Sequence, residues 1–172
     1  EKITDQNGKC YVTSSYDRKG RVVRQLMADG EEYIYLYNEA EKVNTFVTMS
    51  KESSVKYYYN RDKLVTKVLY EDDTYEEKKY DVNENLIYER DRNGNCIFRT
   101  FSPEGLLLSE EEPTGLKVTY KQDERGNLIE QEDNAGRKLT FAYDAHNNLI
   151  RKELTVDSKT KAATCYEYDS KG

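Results

Sequence analysis

Tryptophan is absent from this 172-residue chain, histidine occurs once, and proline and methionine occur twice each. With His146 alone, a metal cage built on two imidazoles is excluded, and any Cys/His or Ser/His nucleophile pair would rest on that single ring. The three cysteines, Cys10, Cys96 and Cys165, stand far apart and form no Cys-x-x-Cys pair. A structural zinc site therefore has no support, and the odd number argues against a disulfide framework. No run approaches the roughly 18 apolar residues of a membrane-spanning helix, and Glu1-Lys2-Ile3-Thr4-Asp5 has no apolar stretch resembling a signal peptide. Excess positive charge is missing too: the net charge is −6, so there is no basic footprint for nucleic acid or an anionic membrane surface. These absences predict a soluble chain, a mature or excised piece, without nucleic-acid binding or membrane insertion.

Aliphatic residues are also scarce. Leu, Ile, Val and Phe together number 34, near the roughly 20% level below which chains fail to build a core. Sixteen tyrosines change that reading, because Tyr favours pleated, half-buried surfaces over helices. With 35% charged residues, many side chains of every element must face water. The composition predicts an all-β protein with a thin core.

What the chain does have is a period. An aromatic residue followed by Asp, Asn or Ser recurs at Tyr16, Tyr37, Tyr59, Tyr80, Phe101, Tyr143 and Tyr168, with Gln122-Asp123 in the one remaining slot. The intervals between these anchors are 21, 22, 21, 21, 21, 21 and 25 residues, a spacing that marks a repeat architecture. Six residues beyond each anchor stands an aliphatic side chain: Val22, Val43, Val65, Leu86, Leu107, Leu128 and Leu149. Four beyond it, Gly20, Gly105, Gly126, Asn147 and Gly172 supply a turn signal, and seven before it Gly30, Gly94, Gly115 and Gly136 supply a second. Asp or Asn opens a turn by bonding its own backbone two residues on, and Gly or Asn accepts the positive φ that tight turns impose. Between the turns, Tyr33/Tyr35/Tyr37, Val55/Tyr57/Tyr59, Val118/Tyr120 and Leu139/Phe141/Tyr143 alternate on one strand face. The pattern predicts one array over 1–172 of about eight antiparallel hairpins, stacked into a twisted or spiralling continuous sheet.

Tyr143-Asp144-Ala145-His146-Asn147-Asn148-Leu149-Ile150-Arg151, Tyr80-Asp81-Val82-Asn83-Glu84-Asn85-Leu86-Ile87 and Asp123-Glu124-Arg125-Gly126-Asn127-Leu128-Ile129 resemble YD repeats. Such repeats are found in bacterial Rhs proteins, in the encapsulating components of insecticidal toxin complexes and in teneurins. The resemblance covers essentially the whole chain, with weaker second and third units where Glu41 and Lys63 replace the usual Gly. It implies a β-sheet strip that in long members coils into a shell around a toxic segment, or into a barrel in adhesion receptors. A complete shell needs several times this length, and no Asp-Pro-rich core module is present, so no self-cleavage residues carry over.

No candidate catalytic, cofactor-binding or metal-ligating residue emerges. His146 falls in a turn slot held elsewhere by Lys19, Ala40, Asn83 and Glu104, and the acidic runs Glu71-Asp72-Asp73, Glu110-Glu111-Glu112 and Asp91-Arg92-Asn93-Gly94-Asn95 lack a full calcium loop. Each cysteine reads as a small half-buried strand residue. The tyrosine rows, with Tyr33, Tyr35, Tyr57 and Tyr120 foremost, could stack sugar rings, although the same rows serve cross-strand packing. The leading expectation is a non-enzymatic wall module that encloses or presents a toxin or other polypeptide. The alternative is a secreted or cell-surface adhesion module that binds carbohydrate or protein. Expected partners are further repeats or other copies of the array, including a homo-oligomer, and an enclosed polypeptide or glycan. The expected location is the surface or surroundings of a bacterium, or the cytoplasm for an unsecreted short relative.

Overall fold

In the computed structural model, which describes residues 1–4, 6, 8, 10–49 and 53–168, the turns explain the strands. In the turn after Tyr80, Asp81 Oδ1 accepts the backbone N–H groups of Asn83 and Asn85, both at 2.9 Å, while Glu84 N–H reaches the Asp81 carbonyl at 3.2 Å. The chain reverses in three residues and Glu84, at φ 66°, takes the left-handed position. Asp17, Asn60, Ser102, Asp123 and Asp144 close their turns in the same way, with Gly20, Lys63, Gly105, Gly126 and Asn147 left-handed. Gly172 and Asp169 lie outside the described residues.

Sixteen strands result among the described residues: β1 (Lys2–Thr4), β2 (Cys10–Tyr16), β3 (Val22–Met27), β4 (Glu32–Asn38), β5 (Val43–Thr48), β6 (Ser53–Tyr59), β7 (Val65–Tyr70) and β8 (Tyr75–Tyr80) come first. They are followed by β9 (Leu86–Arg90), β10 (Cys96–Phe101), β11 (Leu107–Glu111), β12 (Lys117–Gln122), β13 (Leu128–Asp133), β14 (Arg137–Tyr143), β15 (Leu149–Val156) and β16 (Lys159–Cys165). The sheet order is β1 to β16 in sequence order, each strand bonded to its chain neighbours, and no helix occurs among the described residues. The all-β hairpin array expected from the 21-residue period is what the chain forms. Tertiary contacts gather it into two compact units, Glu1–Lys78 and Lys79–Gly172.

Five of the anchors sit at a bulge. Tyr16 pairs with Val22 while Ser15 pairs with Arg24, so two residues of β3 oppose one of β2, and the shift recurs at Tyr59, Phe101, Gln122 and Tyr143. The unit beginning at Tyr37 differs. There Asn38 pairs with Val43 and Tyr37 with Asn44, the ladder runs without a shift, and the extra residue lies in the turn. Glu41, at the slot where spacing puts glycine, is accordingly not the left-handed residue; Lys42 is, at φ 54°.

The core is thin, as the composition requires. Among the described residues only Val43 and Val68 are buried hydrophobics, beside the buried polar residues Ser14 and Thr48, and no side chain is fully enclosed. Packing is therefore side chain against side chain across one face, with Tyr33 stacked on Phe46 at 5.2 Å between centroids and Tyr35 tilted against it at 5.3 Å.

Candidate functional site: the anchor ladder and the tyrosine face

A bulge leaves a backbone carbonyl without its ladder partner. In this chain the next anchor side chain supplies one. Tyr37 donates its hydroxyl to the Val22 carbonyl at 2.7 Å, Tyr143 to Leu128 at 2.9 Å and Tyr168 to Leu149 at 2.8 Å. Each acceptor is the aliphatic residue six beyond the previous anchor, which explains why that spacing is kept. Gln122, the non-aromatic anchor, performs the same task with its amide, donating Nε2–H to the Leu107 carbonyl at 2.7 Å. Phe101 has no group to donate, and Tyr59, which follows the unit without a bulge, lies beneath Lys63 Nζ at 4.7 Å. This ladder is the contribution that sequence reasoning missed: the period was visible, but not that the hydroxyl rather than the ring connects successive units.

The turns form a second row of links. Arg125 donates to the Ala145 carbonyl and to Asn147 Oδ1, both at 3.2 Å, and Asn127 Nδ2 donates to both Asp123 Oδ2 and Asn147 Oδ1. Along the other row of turns, Asn134 Nδ2 donates to the Gly115 carbonyl at 2.8 Å and its Oδ1 accepts from Lys117 N–H. The turn carboxylates are held below their ordinary range. For Asp81, Asp91 and Asp123 the main cause is the amide of Asn85, Asn95 or Asn127. For Asp17, Asp133 and Asp144 it is the backbone N–H of Arg21, Arg137 or Asn148.

Register places the tyrosine rows on the anchor face. In the unit Glu1–Lys78, Tyr37, Asn44, Tyr57 and Val68 form one cross-strand line and Tyr35, Phe46, Val55 and Tyr70 the next. A groove of about 460 Å³ opens there, lined by Tyr35, Tyr37, Asn44, Phe46, Tyr57 and Val65 among others. The hydroxyls are partly spent on the protein itself: Tyr35 donates to Gln25 Oε1 at 2.7 Å, and Gln25 in turn donates to Ser14 at 3.2 Å. Burial raises the pKa of Tyr35, and Tyr57 keeps an exposed ring at the groove. Tyr33 is half-buried against Phe46.

In the unit Lys79–Gly172 the anchor face is more charged. Arg99 bridges Glu89 at 2.7 Å and Glu110 at 2.6 Å, and Tyr120 shares a second groove, of about 400 Å³, with Glu110, Glu112, Gln131 and Leu139. Burial first, then the Glu110 carboxylate, raises the pKa of Tyr120. Tyr120 stands in the unit Lys79–Gly172, and Tyr33, Tyr35 and Tyr57 in the unit Glu1–Lys78.

The remaining sequence candidates fall on the surface. His146 occupies an exposed turn, its backbone N–H bonded to Asp144 Oδ1 at 2.8 Å. Cys10 and Cys96 are half-buried strand residues and Cys165 is exposed; all three thiols are free. Asp91 is occupied by the backbone and side-chain N–H groups of Asn95, and Glu110 by Arg99.

Comparison with known proteins follows the same lines. Residues 123–161, which contain two of the most regular turns, match the RHS Repeat model. A search among curated proteins finds no match. Among solved structures, the chain is similar to a chain of the Photorhabdus luminescens Tc holotoxin pore, with a TM-score of 0.68 and 16% identity. It is similar also to a chain of the TcdB2-TccC3 complex, with a TM-score of 0.69 and 16% identity, and equally to that of TcdB2-TccC3-Cdc42. The match covers 93% of this chain and 10% of theirs, so the chain spans about a tenth of the length of the toxin-complex chains whose fold it shares. The repeat matched at 123–161, together with a fold shared with these chains over nearly the whole length of this one, bears out the resemblance read from the tyrosine period: residues 123–161 are an RHS repeat.

Proposed function

We propose that this chain is a non-enzymatic stretch of shell wall whose anchor face lies against an enclosed polypeptide, in a protein secreted by or displayed on a bacterium. The observation that carries the reading is the fold shared over 93% of the chain with the TcdB2-TccC3 toxin complex. A single sheet suits a wall, and the anchor side chains of Tyr37, Gln122, Tyr143 and Tyr168 hold neighbouring hairpins together. The grooves on the anchor face offer apolar and hydroxyl-bearing surface to an extended chain without shaping a specific pocket.

The test is photo-crosslinking to carboxymethylated α-lactalbumin, a permanently unfolded polypeptide. A benzophenone amino acid in place of Tyr57 on the anchor face is expected to capture it, and the same group in place of Lys56 on the opposite face is not. Equal capture from both faces, or none, rejects the reading. A second reading, a carbohydrate-binding module, draws on the exposed ring of Tyr57 beside the groove. It predicts glycan-array binding that disappears in Tyr35→Ala and Tyr57→Ala while the circular dichroism spectrum stays unchanged.

A further inference from the structure

We infer that the sheet face opposite the anchors, across β4 to β7, docks a short amphipathic helix with an acidic flank. The inference goes beyond the wall reading, which uses the other face. Register sets out three cross-strand lines there: Ile34, Val47 and Ser54; Leu36, Thr45, Lys56 and Leu69; Asn38, Val43, Tyr58 and Lys67. Apolar and aromatic side chains dominate all three, and Leu36 stands 55% exposed among them. The anchor face of the same strands is aromatic too, so β4 runs Tyr33-Ile34-Tyr35-Leu36-Tyr37 without a polar residue. Sheets with one wet face alternate apolar and polar residues, whereas strands covered on both faces read as unbroken apolar runs. In the unit Lys79–Gly172 the corresponding face follows the first rule. Ser109, Thr119, Glu132, Lys138 and Thr155 form one line and Lys121, Glu130, Thr140 and Glu153 the next. Ion pairs close that face, Lys121 to Glu130 at 2.7 Å and Lys138 to Glu130 and Glu132 at 3.2 and 3.1 Å. One repeat therefore builds a solvated face in one unit and an apolar one in the other.

Area and charge select what covers it. Four strands across and residues 34–38 along β4 give a patch of roughly 14 Å each way, about 200 Å². A stable interface between folded proteins buries about 800 Å² on each side, so the patch is too small for a second copy or a globular domain. A sheet face presents side chains and no free main-chain groups, so its occupant must satisfy its own backbone. A helix does so, and at about 10–12 Å in diameter two to three of its turns fill the patch. Lys56 stands exposed in the middle of the three lines, without an ion pair among the described residues. Lys67 Nζ, on the same face, lies over the Tyr75 ring at 4.6 Å. Carboxylates along the flank of the helix complement both cations, while its apolar stripe covers Leu36, Val47 and Leu69. A second copy laid face to face would instead bring these lysines towards like charges.

The probes are two stapled synthetic helices with the same leucine stripe, one flanked by glutamates and the other by lysines. By fluorescence anisotropy the acidic helix is expected to bind the unmodified chain about five-fold more tightly than the basic one. Lys56→Glu should reverse that order, and Leu36→Ser should weaken both helices; both positions are exposed, and an unchanged circular dichroism spectrum checks that the fold survives. Amide shifts on adding the acidic helix should concentrate in β4 to β7 and leave β11 to β15 unmoved. Absence of binding, an unreversed order in Lys56→Glu, or shifts spread equally over β11 to β15 each overturn the inference. So does self-association in light scattering that Leu36→Ser abolishes, since a second copy would then be the occupant. Capture at position 57 reads the anchor face, and a benzophenone at position 56 removes the cation that the helix needs. Failure of the docking test therefore leaves the wall reading standing, and failure of capture leaves the docking test intact.

Discussion

The left-handed turn positions are where single residues decide stability. Glycine reaches positive φ without cost, whereas an L side chain there is strained by roughly 1–2 kcal/mol. Gly105, at φ 84°, has only Asn85 Oδ1 within contact of an added Cβ, at 3.6 Å, so the penalty of Gly105→Ala is conformational and not a clash. Glu84 and Lys63 hold the same place at φ 66° and 68°. Glu84→Gly and Lys63→Gly should each raise stability by about 1 kcal/mol, and Gly105→Ala should lower it by a similar amount, as measured by urea unfolding. The turn carboxylates give a pH dependence with a definite sign. Their pKa values are lower in the folded chain than in the unfolded one, so their contribution is complete above the unfolded value and disappears as pH falls through the folded values. The melting temperature should be insensitive to this group of carboxylates from pH 5 upward and drop below about pH 4. Asp123→Asn keeps a side-chain acceptor for Asn127 N–H and should make that drop shallower; an unchanged acid profile would remove the carboxylates from the explanation.

At the scale of the hairpin, the anchor ladder gives the tyrosine period its physical reason. Phe101 interrupts it, because a phenyl ring at that position cannot donate to the carbonyl of Leu86, six residues beyond Tyr80. Phe101→Tyr is expected to restore the bond and add about 0.5–1.5 kcal/mol, and Tyr143→Phe to cost a comparable amount by leaving the Leu128 carbonyl unpaired. Gln122→Tyr, which exchanges one donor for another, should change little. Stability that failed to follow the donor, with Phe101→Tyr neutral and Tyr143→Phe harmless, would leave ring packing as the sole reason for the period. The hairpins themselves were legible because turn chemistry is local: Asp81, Asn83 and Glu84 act within five residues of one another. The bulge and its carbonyl were not legible, since they depend on pairing between strands, and no local signal separates the shifted register at Tyr16 from the straight one at Tyr37. The candidate ligand residues were legible only as a face. Alternation places Tyr33, Tyr35 and Tyr57 together, but that Gln25 takes the hydroxyl of Tyr35 follows from a neighbouring hairpin.

At the scale of the molecule, the described elements of each unit contact their neighbours in the chain, from β1 with β2 to β6 with β7 and from β9 with β10 to β15 with β16. Stability in such an array is a sum of hairpin terms and nearest-neighbour terms, so a local defect should open the array locally. A globular core would distribute the same defect over all its strands. Tyr143→Phe removes one link between the hairpin carrying Leu128 and the one carrying Tyr143, and the strands it should weaken are β13 and β14. Amide exchange of this variant is expected to accelerate in β13, β14 and their immediate neighbours while β3 to β6 keep the rates of the unmodified chain. A uniform acceleration across all sixteen strands would mean that the sheet unfolds as one cooperative body, in which case the period describes only how the chain is built and not how it opens.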